Sequence, residues 1–233
     1  MKTAVINFSG NVGKSTVAKH LLAPRIRDAD YISVESINAD EGDGDNIRGK
    51  QFGELTQQLM MSDAAIIDIG SSNVEDFMKL MKQFHGSHED IDLFVIPAVK
   101  ESKQIKDTIA TIQALSAMGV PSKKIRLIFN RVEVDEDVED SFYPLFAFHE
   151  EAKSFILRPK AAIQFSELYQ KMRPYEMTIT ELLMDGTDYK AVLRDSKTEA
   201  ARMEAANRIS MKRLAISAQA NLDTVFNSII TRH

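Results

Sequence analysis

The chain has 233 residues, 44% of them apolar and 27% charged, which suits one large α/β domain with a small appendage and argues against disorder. It contains no cysteine, and that excludes disulfides, thiolate zinc sites and thiol nucleophiles. The formal net charge of -5 is uneven, residues 186–233 holding eight Lys/Arg against five Asp/Glu, so contact with nucleic acid or an acidic partner is expected on the tail rather than the body.

Met1-Lys2 runs directly into an apolar strand from Thr3, leaving no room for a signal peptide, and no apolar run approaches the length of a membrane span. A soluble cytoplasmic protein is therefore expected. The strand through Val5-Ile6-Asn7-Phe8 enters the turn Ser9-Gly10-Asn11-Val12, and a helix opens at Gly13 carrying Val17, Ala18, Leu21 and Leu22. Strand, Gly/Asn turn and helix form the context of a phosphate-binding loop, because the first free N–H groups of the helix and the positive end of its dipole converge on an anion. In this reading the backbone of Gly10, Asn11, Val12, Gly13, Lys14, Ser15 and Thr16 cradles the phosphates, Lys14 reaches the terminal ones and the Ser15 hydroxyl sits on Mg²⁺. The alternative is an ordinary strand-to-helix turn with a solvated lysine.

Pro24 and the charged Arg25 to Asp28 end that helix, and Tyr31-Ile32-Ser33-Val34 reads as a second strand. The acidic, glycine-spaced segment from Glu35 to Asp45 cannot pack and is expected as a surface loop at the edge where open α/β sheets bind ligands. Phe52, Leu55, Leu59 and Met60 recur at helical spacing. Ala64 to Gly70 is an apolar strand with one carboxylate, Asp68, near its end. A lone Asp at the tip of a buried strand is costly unless something pairs with it, and a hydrated Mg²⁺ beside a nucleotide would do so; an Asp capping the next turn is the other reading.

A helix with Phe77, Leu80, Met81 and Phe84 follows, closed by a polar turn in which His85 and His88 look like surface residues. Ile91 to Pro97 is a fourth strand, and a helix through Ile105, Ile109, Ile112 and Leu115 ends at Gly119 before Pro121. Lys124 to Arg131 is a fifth strand with Asn130 at its exit, where a carboxamide offers donor and acceptor to a purine edge or simply makes a turn. An exposed acidic loop is expected over Glu133 to Asp140, then an aromatic group of Phe142, Tyr143, Phe146 and Phe148. Ser154 to Leu157 reads as a sixth strand ending in Arg158-Pro159 at the same sheet edge, and Phe165, Leu168 and Met172 as a helix stopped before Pro174. This alternation predicts βα units and a mostly parallel central sheet flanked by helices.

From about Ile179 the strands cease. Met211, Leu214, Ala218, Leu222, Val225 and Ile229 recur at helical spacing in a segment without Pro or Gly, predicting one long helix or two. The segment closes the domain's own core, or binds a partner, or lies on nucleic acid or a membrane surface. The expected organisation is a nucleotide-binding domain over residues 1–180 and a C-terminal helical segment over 181–233.

With the loop, the strand-end Asp68 and the late Asn130 in place, residues 1–180 resemble the ParA/MinD group of deviant Walker-A ATPases, P-loop proteins of plasmid partition and division-site placement. Ser9-Gly10-Asn11-Val12-Gly13-Lys14-Ser15-Thr16 looks like that family's KGGxGK[ST]T loop, Asp68-Ile69-Gly70 like the end of its second motif, and Leu157-Arg158-Pro159 like the segment over its base. The opening residues are more narrowly similar to a plasmid-stability protein that accompanies a small DNA-binding protein and bears on conjugation or inheritance. The resemblance implies ATP and Mg²⁺ as ligands, with Lys14 on the phosphates, Ser15 and Asp68 on the metal, Glu35 or Asp40 positioning water, and Asn130, Arg158 and Pro159 bordering the base. It also implies partners: a plasmid-encoded DNA-binding protein, non-specific DNA and a second copy of the chain.

Two departures stand out. Ser9 occupies the place of the family's signature lysine and cannot reach a phosphate on a partner subunit, and Glu35-Ser36-Ile37 stands where the family has Asp-x-Asp. A slow or partner-dependent ATPase switch is therefore expected, with a nucleotide-binding scaffold of little turnover as the alternative. A ligase of the dethiobiotin-synthetase kind is a third reading, although the acidic 35–45 loop is a poor site for a carboxylate substrate.

Overall fold

The computed structural model describes residues 1–34 and 44–231. Among these, β1 (Lys2–Val5), β2 (Asp30–Val34), β3 (Ala65–Ile69), β4 (Leu93–Ala98), β5 (Ile125–Val132) and β6 (Ala162–Gln164) form one sheet in the order β2-β3-β1-β4-β5-β6. Every neighbouring pair is parallel, so the strands are joined by crossover connections rather than hairpins. The helices are α1 (Lys14–Thr16), which runs on as a π-helical stretch Val17–Leu22, then α2 (Gly44–Met61), α3 (Val74–Gln83), α4 (Ser102–Ala117), α5 (Val138–Ser141) and α6 (Tyr143–Ala152). After β6 come α7 (Leu168–Met172), α8 (Ile179–Met184), α9 (Tyr189–Asp195) and α10 (Glu199–Ile230).

Strand periodicity divides the interior in two. Ala4 and Ile6, Ala65, Ile67 and Ile69, Phe94 and Ile96, and Leu127 and Phe129 point to one face, where they pack with Phe52, Phe77, Ile112, Leu115 and Phe142. Their alternates Val5, Ile66, Val95 and Ile128 point to the other, against Val17, Leu21, Leu168, Leu182 and the apolar stripe of α10. Because side chains alternate along a strand, Asp68 shares the second face with Ile66, and Asn130 shares it with Ile128. Both polar residues thus lie on the side of the sheet that carries α1.

The long C-terminal helix forms and closes the domain's own core. Met211, Ala218, Leu222, Val225 and Ile229 are buried in the second cluster, with Ala215 joining them where Leu214 is only half-buried. Polar contacts hold its register: Arg25 Nη2 lies 2.8 Å from Asp223 Oδ1, and Asn221 Nδ2 donates to Ala162 O at 2.9 Å. The Arg208 guanidinium sits 3.9 Å over the Tyr175 ring and pairs with Glu204. The last turn of α10 is clasped from below by two arginines, Arg126 Nε donating to Ile229 O at 2.8 Å and Arg158 to Ser228 O and Thr231 O.

The structure departs from the sequence expectations in two places. The sixth strand is Ala162–Gln164, not Ser154 to Leu157; Ile156 makes only an isolated parallel bridge to Arg126 before a turn at Arg158 to Lys160. Within the acidic stretch from Glu133, α5 forms because Asp137 Oδ1 accepts from the Glu139 and Asp140 N–H groups. Of the aromatic group after it, Phe142 caps the start of α6 and the others lie within it, and Phe142 and Phe146 pack against Phe129.

Candidate functional site

The loop Ser9 to Gly13 leaves the carboxyl end of β1 at the middle of the sheet. Its geometry depends on two left-handed residues, Asn11 at φ 59° and Gly13 at φ 94°. Gly13 O accepts from Val17 N at 2.9 Å and starts the helix, so the free N–H groups of the first turn open toward the loop. Ser15 is exposed there and Thr16 half-exposed.

Lys14 is the buried cation of this corner. Its Nζ donates to Ser9 O at 2.7 Å and Asn7 O at 3.1 Å, so the ammonium rests on carbonyls of its own loop. Burial pushes its pKa down to about 8, against the opposing attraction of the Asp68 carboxylate. Asp68 pairs in register with Val5 on one side and Ser33 on the other and is 5% exposed. Its Oδ2 accepts from the Tyr31 hydroxyl at 3.1 Å, whereas its Oδ1 is buried with no hydrogen-bond partner among the described residues. An orphaned carboxylate oxygen is costly, and a hydrated divalent cation on a loop-bound phosphate would satisfy it. The donors present therefore fit Mg²⁺ held by one carboxylate, the Ser15 hydroxyl and the substrate's own oxygens. Among the described residues no group of three or more His, Asp or Glu is arranged to hold a metal without such help.

Beneath the loop runs a buried polar network. Asn7 Nδ2 donates to Pro97 O at 2.9 Å and Thr108 Oγ1 at 2.8 Å, and its Oδ1 accepts from Ser9 N. Phe8 N donates to Thr111 Oγ1 at 3.0 Å. The base of the loop is thus pinned to α4. On the other side Asn130 Nδ2 donates to Val12 O at 2.8 Å and its Oδ1 accepts from Arg131 N. A pocket of about 230 Å³ opens beside Gly13 and Thr16, walled by Asn130, Arg131, Gln164 to Glu167 and Arg173.

Six parallel strands with this strand order, a glycine loop after the central β1 and helices on both faces can be compared with known proteins. No family model matches the chain, and no curated protein matches it either. Among solved structures it is similar to Cyanothece McdA in its apo form, with TM-score 0.54 and 15% identity over 92% of this chain and 98% of that one. It is also similar to the MinC:MinD cell division protein complex of Aquifex aeolicus, with TM-score 0.51 and 14% identity over 90% of this chain and 95% of that one. The chain has the fold of McdA and MinD. An ATP complex of a Cyanothece McdA variant aligns at TM-score 0.46 and 15% identity over 93% and 96% of the two chains.

Within the fold shared with McdA and MinD the residues predicted from sequence divide into three groups. Gly10, Asn11, Val12, Gly13, Lys14, Ser15, Thr16, Asp68 and Asn130 converge at the carboxyl end of the sheet. Arg158 and Pro159 do not: they precede Ala161 and Ala162, which pair at Phe129 in mid-strand, and Arg158 reaches down to the end of α10. The segment that borders the pocket is Gln164 to Glu167 instead, because the edge strand resumes after the Arg158 turn and ends at Gln164 rather than at Leu157. Glu35 and Asp40, the residues expected to position water, lie outside the described residues. Asn130 is engaged by the loop and by its own turn rather than presented freely.

Sequence reasoning missed Asn7, Thr108, Thr111 and Tyr31. Thr108 and Thr111 carried a signal, being polar residues on the apolar face of α4 between Ile105 and Ile112. Tyr31 carried none, since its contact spans 37 positions of chain.

Proposed function

We propose that the chain binds ATP with Mg²⁺ and works as a slow, partner-dependent ATPase switch of the ParA/MinD kind. The observation that carries the reading is the corner in which buried Lys14, held on loop carbonyls, faces a buried Asp68 with one oxygen unpartnered. An arriving triphosphate takes the place of the Asn7 and Ser9 carbonyls at the Lys14 ammonium and receives the N–H groups of the first turn. Ser15 and Asp68 would hold the metal, whose charge would help to neutralise the phosphates. Water attacks the terminal phosphoryl group, releasing ADP and phosphate, with positioning and charge rather than covalent chemistry lowering the barrier. Glu35 or Asp40 orients that water in this proposal, and Gln164 to Glu167 border the base in place of Arg158 and Pro159.

The biological setting we infer is plasmid stability, partition or conjugative transfer in the cytoplasm, alongside a plasmid-encoded DNA-binding protein, with non-specific DNA and a second copy of the chain as further partners. This rests on the likeness of Ala4 to Thr16, with Lys19-His20-Leu21-Leu22-Ala23-Pro24-Arg25-Ile26 after it, to the plasmid-stability protein StbB. No helix among the described residues is long and apolar enough to cross a membrane. A domain division at about residue 180 stays part of this proposal, although the C-terminal helices share the second apolar cluster with β1 and the π-helical stretch.

One observation favours a second reading, a nucleotide-binding scaffold with little turnover. Ser9, at the signature-lysine position, is 4% exposed, so no side chain there extends toward a partner's nucleotide. Steady-state phosphate release separates the two. A rate that rises with plasmid DNA or the partner protein and disappears in Lys14→Ala supports the switch, and a background rate under all conditions supports the scaffold.

A further inference from the structure

Tyr31 stands on the edge strand β2, where it pairs in register with Ile66, two positions before the Ser33–Asp68 pair. Its side chain runs along the sheet toward the carboxyl edge, and the hydroxyl donates to Asp68 Oδ2 at 3.1 Å. The carboxylate therefore has one oxygen held and the other, Oδ1, buried without a hydrogen bond among the described residues. The last torsion of an aspartate is soft and nearly two-fold, so an unrestrained carboxylate would exchange its two oxygens freely.

We propose that Tyr31 is a positioning residue for a divalent cation at Asp68: by holding Oδ2 it keeps the carboxylate in the rotation that presents Oδ1 to the metal of a bound nucleotide. The inference rests on the ATP and Mg²⁺ reading above and deepens it. A hydroxyl suits the task because it orients the carboxylate without cancelling its charge, which an arginine or lysine in the same place would do. Ligating carboxylates are commonly hydrogen-bonded in turn by groups of this sort. Tyr31 is 45% exposed, so removal of its hydroxyl leaves no buried cavity and need not disturb the fold.

The test uses the full chain, a fluorescent ATP analogue and Mg²⁺ varied over a wide range, with Tyr31→Phe, Asp68→Asn and the double variant beside the wild type. In Tyr31→Phe the Mg²⁺ concentration for half-maximal binding should rise about tenfold, in line with the loss of a hydrogen-bonding partner to a metal ligand. Affinity for the analogue in EDTA should be unchanged. In the Asp68→Asn background the same substitution should have no further effect on the Mg²⁺ dependence. An unaltered Mg²⁺ dependence in Tyr31→Phe overturns the assignment of Tyr31 while leaving the nucleotide reading intact. Equal weakening with and without Mg²⁺ also overturns it, since that marks a general loss of structure. Absence of Mg²⁺-dependent nucleotide binding in the wild type overturns both.

Discussion

Asn130 and Gly13 meet at the mouth of the loop: a Cβ built on Gly13 would come within 2.2 Å of Asn130 Nδ2. The amide that would be struck is the one that donates to Val12 O. The end of β5 and the turn after β1 are thus fitted to each other at a point where only glycine leaves room, and Gly13 needs its freedom twice over because its φ is 94°. Gly13→Ala should destabilise the chain by roughly 1–2 kcal/mol from the left-handed conformation alone, and by more while Asn130 is present. Adding Asn130→Ala should relieve the clash and not the backbone strain, giving a coupling of about 0.5–3 kcal/mol in a double-mutant cycle followed by urea unfolding. Additive effects would mean that the two residues do not touch in solution.

Proton linkage gives a test of Lys14 that does not depend on turnover. Its folded pKa of about 8 lies below the ordinary 10.5, so burying the charge costs stability below the folded pKa, and the cost is relieved as pH rises between the two values. Bound phosphates favour the charged ammonium and raise its pKa again. ATP binding at a pH of roughly 8.5 should therefore take up a substantial fraction of a proton, falling to near zero around pH 6.5 as far as this lysine is concerned. Calorimetry in buffers of different ionisation enthalpy reads the number directly, and zero uptake at the higher pH would contradict the burial of this ammonium.

His20 predicts the acid limb of stability. It lies in the π-helical stretch beside the Tyr169 ring at 5.7 Å. Burial first, then the Lys19 charge, lowers its pKa to about 4, while Glu181 acts in the opposite sense. Its Nδ1 is buried without a partner among the described residues. Because the folded pKa is below the unfolded one, the unfolded chain takes up the proton first, and stability falls as pH drops from about 6.5 to 4. Between pH 7 and 5 this group should account for a loss on the order of 2 kcal/mol. In His20→Asn the difference between unfolding free energies at those two pH values should shrink by that amount.

The place of α10 in the core is tested by two substitutions on its two sides. Leu222 is fully buried in the cluster beneath the sheet, whereas Ile216 is 65% exposed. Leu222→Ala should cost about 2–5 kcal/mol, the range for removing a buried leucine side chain. Ile216→Ser should stay within about 0.5 kcal/mol of the wild type. Denaturant midpoints decide, and equal small losses would place the helix outside the cooperative core.

What could be read from the chain follows from how local each signal was. The loop and Asp68 were legible because a contiguous run and a period-two strand place them without any tertiary information. The sixth strand was misplaced because Ser154 to Leu157 has strand composition, yet pairing depends on where β5 offers free partners, and those are met on both sides of the Arg158 turn. The bonds Asn7–Thr108 and Tyr31–Asp68 join residues far apart in sequence through single polar atoms, which leave no periodic trace. The stripe of α10 announced a helix and could not say what it covered, since an apolar face reads the same whether it meets its own sheet or another molecule.

The π-helical stretch carries the glycine loop at its front end and rests its underside on α10, with Arg25 bridging to Asp223 and also donating to His20 O and Leu21 O. A fragment ending near residue 180 would strip the floor from beneath the very segment that presents Lys14. Deletions of the tail are therefore unsuitable for asking whether it is an accessory arm: they would remove the footing of the Lys14 corner along with whatever else the tail contacts.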